Sequence, residues 1–567
     1  MTIADRPTAA AESAAAGYEL NSFERKFIGS HVLIAVIALG IGSLIGPLQA
    51  LEYSNVNVYN KLADWGILKS YYQGLTLHGV LNALVWTTFF ITGFSTLTTI
   101  KGLRRPLSNP NINLAGFVTM IVGLVMAAVP MLANQATVLY TFYAPLEASW
   151  AFYVGLTLVV VGSWIEGLGF YLTLRKWRQE NRGVRSPLVA LANIINAAMW
   201  QIATLGIAIE MLTMLIPWSF GLTDGTDPQL ARTYFWFTGH PLVYFWLLPA
   251  YTSWYAMLPK QAGGKLFSDS LARLAFWMFL IVSVPVGFHH QFVDPGVPVI
   301  WKWFHAILTY SVFFPSMMTA FTVIASLEYA ARKRGGTGLI GWVRALPWGD
   351  PSVTAQLLAA ILFMFGGIGG LTNASYNVNL VIHNTAWVPG HFHLTVATAV
   401  TLSFIGITYW MVPMLSGKRL WSRKVALTQA WTWFVGMVIF SNAMHMLGLL
   451  GAPRRTPLGE APYVPDEWNG HLMRVSIGGT ILLVSVLLYL AQMVMTIRGP
   501  KAEPADVPDM PVAESLRDPQ LTPIWLDRFK PWLIAAAVLL VIAYGPQLVD
   551  QIANMNLNAP GTDFRPW

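Results

Sequence analysis

Long apolar runs separated by short polar loops dominate this chain, recurring from residue 28 to residue 551. Each run is long enough to cross a hydrocarbon layer, which takes about 20 helical residues. They fall near 28–51, 70–100, 112–133, 148–174, 187–218, 230–259, 270–292, 300–331, 353–374, 386–415, 424–452, 470–497 and 530–551. The pattern predicts an all-α polytopic membrane protein of about thirteen transmembrane helices, because a membrane accepts a backbone only when its polar groups are paired internally. No internal repeat is visible, and an odd number of crossings puts the termini on opposite sides. The Ala-rich residues 1–24 read as a mobile tail without a signal-peptide layout, so the first apolar run is a retained helix. Residues 25–551 form one transmembrane domain, and 552–567 are a short tail. Residues 499–529, rich in Pro, Asp and Glu, read as a linker before the last helix.

Composition agrees with the pattern. Of 567 residues, 55% are hydrophobic and 11% charged, against roughly 25% charged in soluble domains; mean hydropathy is +0.52. The net charge of +8 invites a nucleic-acid reading, which its distribution excludes. The N-terminal segment and the loops near 101–111, 175–186, 260–269, 332–350, 416–424 and 498–530 hold 26 of the 35 Lys and Arg, whereas the opposite loops and the C-terminus hold 5. That asymmetry is the positive-inside signature, which places the N-terminus in the cytoplasm and the C-terminus in the periplasm of a prokaryotic inner membrane. Cysteine is absent, so the chain has no disulfide, no iron–sulfur cluster and no thiolate metal site. The stretch "QAGGKL" at 261–266 lacks the spacing of a phosphate loop and reads as a cytoplasmic turn.

The chemistry lies in the histidines. With that orientation, His78, His240, His289, His290, His391 and His393, from four helices, reach one layer in the outer half of the membrane. Ionisable groups at such depth are costly and usually functional. Residues i and i+2 of a helix point about 200° apart, so His391 and His393 face opposite ways, which suits two metals flanking that helix. His289 and His290 diverge by only about 100°, with Pro285 and Gly287 loosening the turn before them. They can share an ion with a third imidazole. Three imidazoles with an open position suit copper or zinc. The remaining histidines can hold haem iron, two in a closed electron-transfer centre or one beneath an open face.

The stretches "YYQGLTLHGVLNA", "GHPLVYFWLLPAY", "PVGFHHQFVDPG" and "HNTAWVPGHFHL", in this order, resemble subunit I of the haem–copper oxidases, closest to the ba-type cytochrome c oxidases, over residues 25–551. The resemblance implies that helix bundle with two haems, a b-type low-spin and an a-type high-spin one, and one copper ion. It assigns His78 and His393 to the low-spin haem iron and His391 to the high-spin haem iron. His240, His289 and His290 become the copper ligands. Arg454 and Arg455, on a loop otherwise poor in positive charge, resemble the pair that holds haem propionates, which forked donors suit. Asn379 stands where a relative has an acid near a propionate of the high-spin haem. His383 is then the nearest candidate for that role.

Reducing oxygen without releasing partly reduced species takes four electrons nearly together; iron and copper supply three, and a tyrosine can supply the fourth with a proton. Tyr244, at i+4 from His240, lies on the same helix face, and the family joins such a pair covalently. Tyr244, Tyr251 and Tyr255 form one stripe down the sixth helix. His305, Thr309, Ser316 and Thr319 form another down the eighth. Facing hydroxyls can hold a water chain for protons. Leu242 occupies the position of a glutamate that serves a second proton channel in A-family enzymes, so a single main proton input is expected. The resemblance further implies a subunit II with a dinuclear copper centre and cytochrome c as donor, with oxygen as substrate and lipid around the bundle. A quinol donor is the alternative. A nitric-oxide reductase of the same superfamily is a second alternative, against which Tyr244 argues. A secondary transporter built of broken helices is a third, against which six layered histidines argue.

Overall fold

The computed structural model describes residues 17–54, 56–459 and 461–561. Residues 1–16 of the expected N-terminal tail and 562–567 of the expected C-terminal one lie outside the described residues. The fold is helical, and no strand forms among the described residues. Eleven helices among them are long and apolar enough to span a membrane. These are α1 (Ser22–Tyr53), α2 (Tyr71–Leu103), α3 (Pro110–Leu132), α4 (Trp150–Glu180), α5 (Leu188–Ser219), α8 (Val299–Lys333), α9 (Pro351–Ala374), α10 (Trp387–Ser416), α11 (Arg423–Leu449), α12 (Asp466–Arg498) and α13 (Phe529–Ala553).

Eleven such spans stand against the thirteen expected, and the runs 230–259 and 270–292 are the two not among them. The run 230–259 is divided into α6a (Pro228–Gly239) and α6b (Pro241–Ala256), with His240 at the junction. Pro241 causes the break, since it has no N–H to donate and its ring clashes with the preceding turn. The run 270–292 forms α7 (Asp269–Ser283) and then a 3-10 turn, Gly287–Gln291. Pro285 removes another backbone donor between the two. Three further helices widen locally: α2 is a π-helix over Val80–Trp86, α5 over Met211–Leu215, and α10 over His393–Val400. Such wide turns cluster at functional sites because they rotate the following side chains out of register.

The bundle packs around α2, α6b and α10, whose inner faces are almost wholly buried, while α3, α12 and α13 expose most of their side chains. Segment 499–529 is a strap across the end of the bundle that carries the basic loops. Lys101 pairs with Asp509 at 2.6 Å, Lys265 with Glu514 at 2.7 Å, and Arg419 with Asp506. Its last contact is the strongest. Buried Arg273 reaches Asp269 at 2.6 Å, Asp527 at 3.2 Å and the Ser186 carbonyl at 2.7 Å. A buried guanidinium is tolerable only with its donors satisfied this way.

Candidate metal centre

The break at His240 and the turn at 287–291 bring three imidazoles together. His240, His289 and His290 each offer one ring nitrogen, and those atoms lie within 4.8 Å of one another. Nδ1 of His240 is 3.2 Å from Nε2 of His290. The His240 and His289 rings are 4.3 Å apart and nearly perpendicular. Thr309 fixes the tautomer of His289. Its hydroxyl donates to the His305 carbonyl at 2.6 Å, so its oxygen accepts from Nδ1 of His289 at 2.9 Å. Nε2 of His289 is thereby left for a ligand, the usual arrangement behind a metal-bound histidine. His290 stacks flat on Trp236, 3.7 Å away and 8° from parallel. Trp236 precedes His240 by four residues, a spacing that could have identified it in the sequence.

Nε2 of His240 is buried and has no hydrogen-bond partner among the described residues. The Tyr244 ring is its neighbour at 5.2 Å, so the unsatisfied nitrogen and the phenol share one face. His305 does not continue the hydroxyl stripe above Thr309. It accepts from the Phe288 N–H at 3.2 Å and donates to the Ala543 carbonyl at 3.0 Å, tying the histidine turn to α13. Deeper along the same two helices, the Tyr251 hydroxyl faces that of Ser316. Tyr255 donates to Thr319 at 2.7 Å. The two predicted stripes therefore face each other.

A second set stands on the other side of α10. The His78 and His393 rings lie 6.4 Å apart and 13° from parallel. His78 is held through Nδ1 by the Gly42 carbonyl at 2.8 Å, and His393 through Nδ1 by the Pro389 carbonyl at 2.7 Å. Both Nε2 atoms are left free for a shared ion. Two imidazoles bound at about 2.0–2.1 Å to one metal, with about 1.1 Å from nitrogen to ring centre, need centroids about 6.2 Å apart. The spacing fits one iron. Both rings line one cavity between α1, α2, α10, α11 and α12. Leu39, Phe392, Phe440 and Met444 give it apolar walls.

Arg454 and Arg455 also line this cavity. Nε of Arg454 and Nη2 of Arg455 are buried without a partner among the described residues. Burial, and then Arg455 beside it, bring the Arg454 guanidinium down to about 10. Unsatisfied guanidinium donors at an otherwise apolar cavity require an anionic group. His391, two residues before His393, turns away towards Trp387, whose ring it stacks on at 5.8 Å. A Cβ at Gly369 would stand 2.7 Å from Nδ1 of His391, so glycine there makes room for the ring. Asn379 donates to the Asn373 carbonyl at 2.8 Å and accepts from His383 at 3.2 Å. Nε2 of His383 is another buried nitrogen without a partner among the described residues. Burial, followed by Arg454, lowers the His383 imidazole to about 4, so it is neutral at pH 7.

The model of the family described as "Cytochrome C and Quinol oxidase polypeptide I" matches residues 26–481. The cytochrome c oxidase subunit 1 of Thermus thermophilus is 46% identical over 556 residues, covering 96% of this chain and 97% of that protein. A cytochrome c oxidase polypeptide 1 of Halobacterium salinarum is 27% identical over 468 residues, covering 78% and 74%. Among solved structures, the cryo-EM structure of a heme-copper terminal oxidase dimer superposes with a TM-score of 0.92 at 38% identity, covering 96% of both chains.

Proposed function

The chain belongs to the cytochrome c and quinol oxidase polypeptide I family, and from that membership and the two histidine sets we infer that it is the oxygen-reducing catalytic subunit of a membrane-bound respiratory terminal oxidase. The observation that carries the reading is the pairing of a three-imidazole cluster with a separate, parallel two-imidazole site across one helix. In the net reaction O₂ takes four electrons and four protons to give two waters. Two haems and a copper ion, when bound, would supply the electron-transfer chemistry for that reduction.

Each residue then has a task set by its surroundings. His240, His289 and His290 hold copper, with Thr309 orienting His289. His78 and His393 hold the low-spin haem, and their Nδ1–carbonyl bonds fix both ring planes. His391 holds the high-spin haem. Arg454 and Arg455 take the propionates of the low-spin haem, and Asn379 with His383 stands at those of the high-spin one. Tyr244 supplies a proton and the fourth electron beside His240. The Tyr251–Ser316 and Tyr255–Thr319 pairs carry replacement protons towards Tyr244 through intervening water. Leu242 cannot take a proton, which leaves that route as the main input.

Electrons enter from elsewhere, because a dinuclear copper entry site needs cysteines and the chain has none. A subunit II with such a centre, fed by cytochrome c, fits that need. The basic loops and the strap over them face the cytoplasm, by the positive-inside rule. Pyridine haemochrome analysis with metal counting on the purified complex tests the reading: two haem irons and one copper per chain are expected. Three irons without copper would make it a nitric-oxide reductase, and no haem at all would leave the transporter.

A further inference from the structure

Helix α11 presents three residues on one face to the histidine segment of α10. Ser441 donates from Oγ to the Gly390 carbonyl at 2.6 Å. His445, one turn on, has Nδ1 only 2.6 Å from the Ser441 carbonyl, which accepts and so fixes the proton on Nδ1. Its ring meets Trp387 edge-on, with centroids 4.8 Å apart and planes at 86°. A Cβ at Gly448 would overlap the Trp387 backbone, so glycine there lets the two helices touch. Positions 441, 445 and 448 are spaced +4 and +3, which puts them in one row. Trp387 lies between this row and His391, stacked on the latter at 19° from parallel.

We propose that Ser441, His445 and Gly448 form a clamp that fixes the ring plane of His391 through Trp387, making His445 a positioning residue for the high-spin haem. This rests on His391 being the axial ligand of that haem. The ring plane and surroundings of an axial imidazole set the properties of its iron. The His391 ring faces the Gly366 backbone on one side and is stacked on Trp387, so the indole is one of two constraints on its plane. The ring contacts of the clamp run to His391, whereas His393 is held through Pro389 and packs on Phe440 at 4.8 Å.

Ordinary packing predicts lost stability alone; the clamp predicts a spectral change at one haem and not the other. The experiment is resonance Raman spectroscopy of the reduced, purified complex, reading the iron–histidine stretching band of the high-spin haem beside the visible bands of the low-spin haem. His445→Leu is expected to shift and broaden the first and leave the second unchanged. His445→Gln keeps a donor to the Ser441 carbonyl and is expected to restore much of the parent band. Ser441→Ala frees the Gly390 carbonyl and shifts the band in the same sense; it decides the question if His445→Leu does not assemble. An unchanged band in His445→Leu, or in Ser441→Ala where only that is obtained, overturns the proposal. His391→Gly separates the premise from the clamp. If that variant keeps the band, His391 is not the ligand and the reading of the site fails, whatever His445 does.

Discussion

Replacing Tyr255 by Phe isolates proton delivery from every other property of the protein. Tyr255 and Thr319 are both buried, and one 2.7 Å hydrogen bond joins them. Thr319 keeps its own 2.8 Å bond to the Pro315 carbonyl in the variant, so α8 is undisturbed. Phe fills the same space, and losing one such bond costs about 1 kcal/mol of stability. The kinetic effect is larger, because positioned proton-transfer groups contribute roughly 10²–10⁴-fold. Oxygen turnover should fall at least about tenfold, a barrier increase of about 1.4 kcal/mol. The assay is steady-state oxygen consumption by the intact complex with a chemically reduced donor, normalised to haem content. Thr319→Val strands the Tyr255 hydroxyl in the interior at a cost of about 1–3 kcal/mol, and it should slow turnover similarly. If both residues serve one path, the double variant is no slower than the slower single. Turnover within about twofold of the parent at full haem content, a barrier change of about 0.4 kcal/mol, would refute the route; losses that multiply would refute a single path.

Thr309→Val removes the acceptor for Nδ1 of His289, and copper affinity should drop about 10–100-fold, read by copper counting after dialysis against a chelator. His78→Leu should abolish the low-spin haem spectrum while copper content stays at one per chain. Arg455→Gln removes an unsatisfied donor from the large cavity and should shift the potential of the low-spin haem downward, measured by redox titration. Arg273→Leu leaves the buried Asp269 carboxylate without its ion-pair partner, while Asp527 keeps Arg178, and should cost about 3–5 kcal/mol, seen as an earlier thermal unfolding transition.

Most of the helices, and all six layered histidines, were legible in the sequence because hydrocarbon imposes a length and a polarity that need no tertiary context. The Tyr255–Thr319 pair was also readable, from two stripes of helical period. What could not be read depends on which groups meet across helices. Nothing in local spacing says that Thr309 faces His289, or that His305, apparently in the same stripe, is occupied at both nitrogens by Phe288 and Ala543. The strap is a similar case. Its Pro and acidic residues read as a linker, yet those acids are partners for basic loops far away in sequence. The buried His31–Glu166 pair, 2.9 Å apart and joining α1 to α4, left no trace in the pattern.

The places where the helical period fails carry the chemistry. His289 and His290 are neighbours in the chain, and their rings lie 4.2 Å from one another. Ending α7 at Ser283 and turning the chain through a 3-10 segment frees both from the register of that helix. The break before Pro241 does the same for His240, whose backbone belongs fully to neither half-helix. At the other site His78 and His393 adjoin π-helical stretches, beginning at Val80 and at His393. Each interruption costs backbone hydrogen bonds, which in a membrane are expensive to leave unmade. A sequence that placed the same histidines on ideal helices would be more regular and could not bring the rings together. The breaks in α6 and after α7 are thus what bring the three imidazoles within reach of one ion.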